Sequence, residues 1–309
     1  MSAINFNIVV DESFTEFCDD PDLAPVDRKS LLSFCNDFED GLWREKAFHR
    51  FVWDNVAQTA LSEEERESLS GDIATAMGRA ASRMRLTKNE APETKGAGSE
   101  LAEIFLYGIM RKHFGAIPAV PKIFCKQNVK DNAKGADSVH ITVANGDFQI
   151  WYGEAKFYNS IENARLTEII KSVGNSLQSD KIRKENSIIT GVCELSKYIT
   201  DAEVLEELKY LLDEDTTTDR LKPKLHIPIF ILHECDIVAG KIDYDDDLKN
   251  ELIDHHKDRA NAFFKKQIEL LGSITKYDQI SFTLILFPVP KKEEILDAYI
   301  SRVREEKQH

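Results

Sequence analysis

The chain has 309 residues, 42% of them apolar and 30% charged, with a formal net charge of −14 and a mean hydropathy of −0.36. That length and balance suit one large or two modest globular domains and exclude a disordered chain. No run approaches the about 20 apolar residues that a membrane span needs.

The elements follow in chain order. Ile4, Phe6, Ile8 and Val10 alternate and predict a short strand. Residues 27–61 place Leu31, Leu32, Phe34, Phe38, Leu42, Trp43, Phe48, Phe51, Val52 and Val56 at helical spacings and predict a helix. Ser62 and Glu65 have the form of a capping box, opening a helix that runs to about Met84 with a break at Gly71. Residues 87–98, punctuated by Pro92, Gly96 and Gly98, predict a linker. The reading is thus a mainly helical region over 1–94 followed by a domain over 95–309. In the second part, Ser99 caps a helix to about Phe114, and a strand is predicted over 119–129. Val139, Ile141 and Val143 alternate over 137–143, Asn145-Gly146 marks a hairpin turn, and 148–157 is apolar on both faces like a central buried strand. A helix over 161–183, a helix near 201–212, a strand at 225–232, a helix near 248–271, a strand at 280–288 and a helix from about 291 complete the pattern.

Charge is unevenly spread. Residues 1–94 sum to −9, residues 95–190 to +3 and residues 191–309 to −8. An acidic chain repels nucleic acid as a whole, but the middle third reverses the sign. Within it Arg111, Lys112, Lys122, Lys126, Lys130 and Lys134 face one acid, Asp131, so this stretch is either a solvated face or a contact for a polyanion. Five widely spaced cysteines (Cys18, Cys35, Cys125, Cys193, Cys235) without a CxxC pair fit reduced thiols rather than a disulfide scaffold or a zinc ribbon. Met1–Phe6 lacks the basic and apolar regions of a signal peptide, so a cytoplasmic protein away from membranes is expected.

The chemistry concentrates at the end of the 148–157 strand. Strand alternation sends Glu154 and Lys156 to one face and Ala155 to the other. Asp137 opens the preceding strand, and the Asn145-Gly146 hairpin would bring Asp137 and Glu154 to the same end of neighbouring strands. Two carboxylates so placed repel each other unless a cation lies between them. Mg²⁺ takes hard oxygen ligands, commonly one or two carboxylates with water and phosphate. A lysine beside such an ion is the equipment of metal-assisted phosphodiester hydrolysis.

These residues resemble the PD-(D/E)xK nuclease superfamily, with its restriction-endonuclease-like fold. The longer strings Gly98-Ser99-Glu100-Leu101, Lys134-Gly135-Ala136-Asp137-Ser138-Val139-His140-Ile141 and Gly153-Glu154-Ala155-Lys156-Phe157-Tyr158 resemble the HamA family, nuclease subunits of the Hachiman anti-phage defence system. The resemblance covers about 98–185. Ala136 stands where the superfamily often has proline, and its Gln-x-x-x-Tyr variant motif is not found. The resemblance implies an α/β fold with a helix–strand–strand–strand–helix–strand core over 98–232. It also implies a Mg²⁺- or Mn²⁺-dependent DNA nuclease restrained by a HamB-like superfamily 2 helicase. Asp137, Glu154 and the Ala155 carbonyl would hold the metal, Glu100 would assist directly or through water, and Lys156 would position water and stabilise charge. Lys112, Lys122, Lys126, Lys130 and Lys134 would contact phosphates, and the 1–94 region would bind the partner. Glu103 lies about 60° from Glu100 on the same helix face and is the alternative helix carboxylate. A catalytically inactive binding module and an RNase are the competing readings.

Other candidates carry less. His255-His256 lacks a zinc-site context, and His226 and His233 flank an apolar strand. His140 could approach the site. No Walker A or GxGxxG motif occurs, and Trp151, Tyr152, Phe157 and Tyr158 read as core rather than as a base-stacking platform.

Overall fold

The computed structural model describes residues 4–84, 97–123, 136–192 and 195–308. The strands are β1 (Asn7–Ser13), β2 (Lys29–Cys35), β3 (Phe38–Glu39), β4 (Leu42–Trp43), β5 (Ile117–Val120), β6 (Ser138–Ala144), β7 (Asp147–Tyr158), β8 (Leu225–Glu234) and β9 (Ser281–Val289). The principal helices are α1 (Glu45–Ala60), α2 (Glu63–Ser68), α3 (Ile73–Ser82), α4 (Ala97–Lys112), α5 (Asn163–Ser176), α6 (Ser179–Val192), α7 (Ala202–Leu212), α8 (Asp246–Leu271) and α9 (Lys292–Glu306).

Seven strands form one mixed sheet in the order β1-β2-β9-β8-β7-β6-β5. The block β2-β9-β8-β7 is parallel. β1 and the β6–β5 pair extend it in antiparallel fashion. β8 and β9 are almost continuous apolar runs because both faces are covered. One apolar cluster joins Ile229 and Leu284 to α5, α6, α7 and α8. The other joins Phe230 and Ile285 to α1, α3, α4 and α9. The Phe105 ring of α4 stacks on Phe230 of β8 at 5.3 Å, fixing that helix against the sheet. Among the described residues no helix is long and apolar enough to cross a membrane.

The first third departs from its predicted helical character. Residues 27–61 form β2, the β3–β4 hairpin and only then α1. Leu31, Leu32, Phe34 and Cys35 are all buried because β2 sits between β1 and β9 with both faces covered. A short apolar run of that kind has no period that separates strand from helix. The hairpin turns through Asp40 (φ 53°) and Gly41 (φ 75°), a pair suited to a turn that needs two positive φ angles. With β1 and β2 in the common sheet, the boundary at residue 94 does not divide the architecture. The capping box at Ser62 is formed, and the helix beyond it breaks near Gly71 into α2 and α3. The helix predicted over 161–183 is two helices, interrupted at Leu177–Gln178. The predicted linker falls mostly outside the described residues, as does the second half of the strand expected over 119–129.

From α4 to β8 the order is helix, three antiparallel strands, the three helices α5, α6 and α7, and a parallel strand. β6 and β7 turn at Asn145 (φ 55°) and Gly146 (φ 72°), as the Asn-Gly signal predicts.

Candidate active site

β7 outlasts its partner. The β6–β7 ladder starts at Ser138↔Gly153, and β7 continues to Tyr158. Asp137 therefore lies at the lip of the ladder opposite Glu154, its N–H donating to the Gly153 carbonyl at 2.7 Å. A side chain at Gly153 would force its neighbours to shift, because an added Cβ would lie 2.8 Å from Leu106 Cδ2 of α4 and 3.1 Å from Ser138 Cβ. Close packing of α4 on β7 thus favours a glycine beside Glu154.

The side chains converge. Asp137 Oδ2 accepts from the Ala155 N–H at 3.1 Å and from Lys156 Nζ at 3.3 Å. Lys156 Nζ also donates to Glu154 Oε1 at 2.6 Å and to the Ala155 carbonyl at 3.1 Å. Ser172 of α5 donates its hydroxyl to Glu154 Oε1 at 2.7 Å. The Asp137, Glu154 and Lys156 side chains retain 14%, 9% and 26% exposure, so the site is a recess open on one side. Burial, and then the Asp137 charge, raise the Glu154 pKa above the usual carboxylate range, with Lys156 and Ser172 opposing them. Burial by itself would lower the Lys156 pKa, but Asp137 and Glu154 outweigh it and the ammonium is held above its ordinary value.

The helix carboxylates are placed elsewhere. Glu154 and Lys156 project toward the α5–α8 face, whereas Ala155 and Phe157, which alternate with them, pack with α4 on the other face. Glu100 and Glu103 are buried on α4, and their charges add to burial in raising the pKa of the Tyr299 hydroxyl on α9. Burial lowers the Lys307 pKa and the charge of Glu100 opposes that shift. The structure thus sets Glu100, expected to assist the metal, apart from the Asp137–Glu154–Lys156 cluster: α4 covers the sheet surface opposite the one toward which Glu154 projects. Strand alternation likewise turns His140 away from the site, to the ring of Tyr107 on α4.

Two of the predicted phosphate contacts are described. Lys122 is not a surface cation: its side chain is 4% exposed and bonds Glu185 Oε2 of α6 at 2.5 Å. Lys112 sits in the last turn of α4, 3.9 Å from Asp54 and over the Phe51 ring, away from the Glu154 recess. Lys126, Lys130 and Lys134 lie outside the described residues. Sequence reasoning misses two cations beside the end of β7. Arg165 lies over the Tyr158 ring, and Lys292 lies over the Phe157 ring and donates to Asn159 at 3.0 Å. It also misses Ser172, whose only signal is its place beside Ile169 and Val173 on the buried stripe of α5.

Trp151, Tyr152 and Phe157 are buried. His233, His255 and His256 gather between β8 and α8, with ring centroids 5.4–6.4 Å apart. Among the described residues no group of three or more His, Cys, Asp or Glu side chains is arranged to hold a metal. The acidic recess therefore offers two carboxylates and one backbone carbonyl.

Comparison with known proteins agrees with the motif strings. No curated protein matches the chain. The family model for HamA matches residues 12–303, nearly the whole sequence and well beyond the motif region. The chain belongs to the HamA family, a component of the Hachiman anti-phage defence system.

Proposed function

We propose that this chain is a metal-dependent nuclease that hydrolyses DNA phosphodiesters as an effector of anti-phage defence. The observation that carries the proposal is the convergence of Asp137, Glu154 and the Ala155 carbonyl on one ammonium at the open end of a strand pair. These acceptors are hard oxygens, and the two carboxylates already draw a cation between them. That donor set suits Mg²⁺ or Mn²⁺, which commonly bind two carboxylates and complete their shell with water and phosphate. Asp137, Glu154 and the Ala155 carbonyl would hold the ion. When bound, it supplies Lewis-acid polarisation of the phosphate and a more acidic water.

The chain's own groups do the rest. Lys156 has a raised pKa and stays an ammonium at neutral pH, so it donates hydrogen bonds rather than accepting a proton. It can hold the attacking water and meet the charge that grows on the phosphate oxygens as the new P–O bond forms and the old one breaks. Ser172 keeps Glu154 turned toward the recess. Arg165 and Lys292, beside the end of β7, are placed to contact the nucleic-acid backbone, which positions the strand without reading its sequence.

A nuclease without sequence readout needs restraint in its host. The −9 and −8 thirds are poor surfaces for a polyanion, which favours their use in docking a HamB-like helicase. The decisive experiment incubates the purified chain with plasmid and with RNA in Mg²⁺ or EDTA, with and without the helicase. Mg²⁺-dependent loss of plasmid, abolished by Glu154→Ala and slowed by the helicase without ATP, is the expected result. Preferential loss of RNA would reassign the substrate. An inert wild-type chain, alone and with the helicase plus ATP, would overturn the nuclease reading.

A further inference from the structure

Glu185 of α6 is a buried acid that the proposed chemistry does not use. Its side chain is 4% exposed, and its two oxygens have different partners. Oε1 accepts from the Ala136 N–H at 2.9 Å, and Oε2 accepts from Lys122 Nζ at 2.5 Å. Ala136 directly precedes Asp137. The next residue of α6, Asn186, accepts at 2.6 Å from the hydroxyl of Tyr152, two positions before Glu154 on the same face of β7. One turn of α6 thus holds both strands that present the acidic pair.

We infer that Glu185 is a positioning residue for Asp137, and that the buried Lys122, bonded to Oε2, holds Glu185 so that Oε1 meets the Ala136 N–H. Asp137 sits where the β6–β7 ladder ends. Downstream it is fixed by its own N–H bond to Gly153 and by the register of Ser138. Upstream, the Ala136 N–H bond to Glu185 sets the direction from which the backbone arrives. Removing that bond lets the Asp137 carboxylate swing relative to Glu154. Groups that orient ligands in this way set metal affinity, and their loss typically weakens binding by about 10- to 100-fold. The inference rests on the metal-dependent reading above.

Single substitutions would leave a buried charge without its partner and could unfold the chain, so the test uses two uncharged pairs. Lys122→Met with Glu185→Gln keeps an oxygen for the Ala136 N–H. Lys122→Met with Glu185→Leu removes it. Both proteins are checked for folding by circular dichroism, and Mn²⁺ binding is measured by calorimetry alongside the Mg²⁺ dependence of cleavage. The expected result is near wild-type Mn²⁺ affinity in the Gln pair and at least about tenfold weaker affinity in the Leu pair. In the Leu pair the cleavage loss should be largely recovered at high Mg²⁺. Equal Mn²⁺ affinity in two folded pairs would overturn the inference while leaving the metal reading intact. The inference also fails if the Gln pair folds and binds Mn²⁺ weakly while its Ala136 acceptor is kept, or if only the Leu pair cannot fold, since the acid would then serve the fold. A wild-type chain that binds no Mn²⁺ would overturn the metal reading and this inference together.

Discussion

Lys156→Met should separate the electrostatics of the recess from its packing. Methionine keeps most of the apolar stem and removes the ammonium that bridges Asp137 and Glu154 at 3.3 and 2.6 Å. Breaking a fully buried ion pair costs about 3–5 kcal/mol. Lys156 is 26% exposed and the recess is open, so about 2 kcal/mol is the reasonable scale here. Glu154 limits the loss, because it can escape the repulsion by taking a proton. Its pKa is already raised by burial and by Asp137, and loss of Lys156 removes a group that lowers it. A carboxyl raised in the folded state keeps its proton where the unfolded one, at about 4.3, has released it. The folded state then binds more protons, and its stability falls as pH rises through that window. The variant should therefore lie close to wild type near pH 4–5 and fall below it by about 2 kcal/mol at pH 8. Urea denaturation in EDTA at the two pH values measures this, and added Mg²⁺ should recover part of the difference at pH 8. Cleavage should drop by about 10²-fold or more. A variant as stable as wild type at pH 8, or one more impaired at pH 5 than at pH 8, would refute the account.

Asp137→Ala and Glu154→Ala should abolish plasmid cleavage while circular dichroism stays native, whereas Ala155→Asp, a charge placed in a fully buried position, should yield insoluble or unfolded protein; a soluble and active Ala155→Asp would show the strand faces to be reversed. Cleavage should require Mg²⁺ or Mn²⁺, with Ca²⁺ bound but nearly inert, and hydrolysis that persists in EDTA would contradict the oxygen-ligand site. Ser172→Ala removes one hydrogen bond to Glu154, worth about 1 kcal/mol, and should slow turnover about fivefold, a change that single-turnover kinetics can resolve. Glu100→Gln should leave Mn²⁺ affinity unchanged by calorimetry, because α4 covers the opposite face of the sheet; a large loss would place Glu100 at the metal after all.

Legibility follows sequence distance. The acidic pair and its lysine are carried by one hairpin, so period-2 alternation and one Asn-Gly turn are enough to bring Asp137, Glu154 and Lys156 together. Ser172 and Glu185 reach the site from helices, and no local pattern tells which turn of an amphipathic helix will meet a strand end. The shared face of Glu100 and Glu103 is sound helix geometry, yet a helical wheel does not say which side of the sheet the helix will cover. β2 is hidden for a different reason: its neighbours are the N-terminal β1 and the late strand β9, and only that long-range pairing makes an unpatterned apolar run into a strand.

That pairing makes β9 the keystone of the molecule. The earliest-made part of the chain and the part that carries the acidic recess share a sheet only because residues 281–289 wedge between β2 and β8. Until those residues are synthesised, both flanking strands expose bare parallel edges, and bare edges invite pairing with another chain. A nonsense mutation between the motif hairpin and Ser281 would leave that hairpin encoded and the arch without its closing stone. Such a product should be cleared or aggregate rather than persist as a truncated effector, which ties any activity of this chain to completion of its C-terminal third.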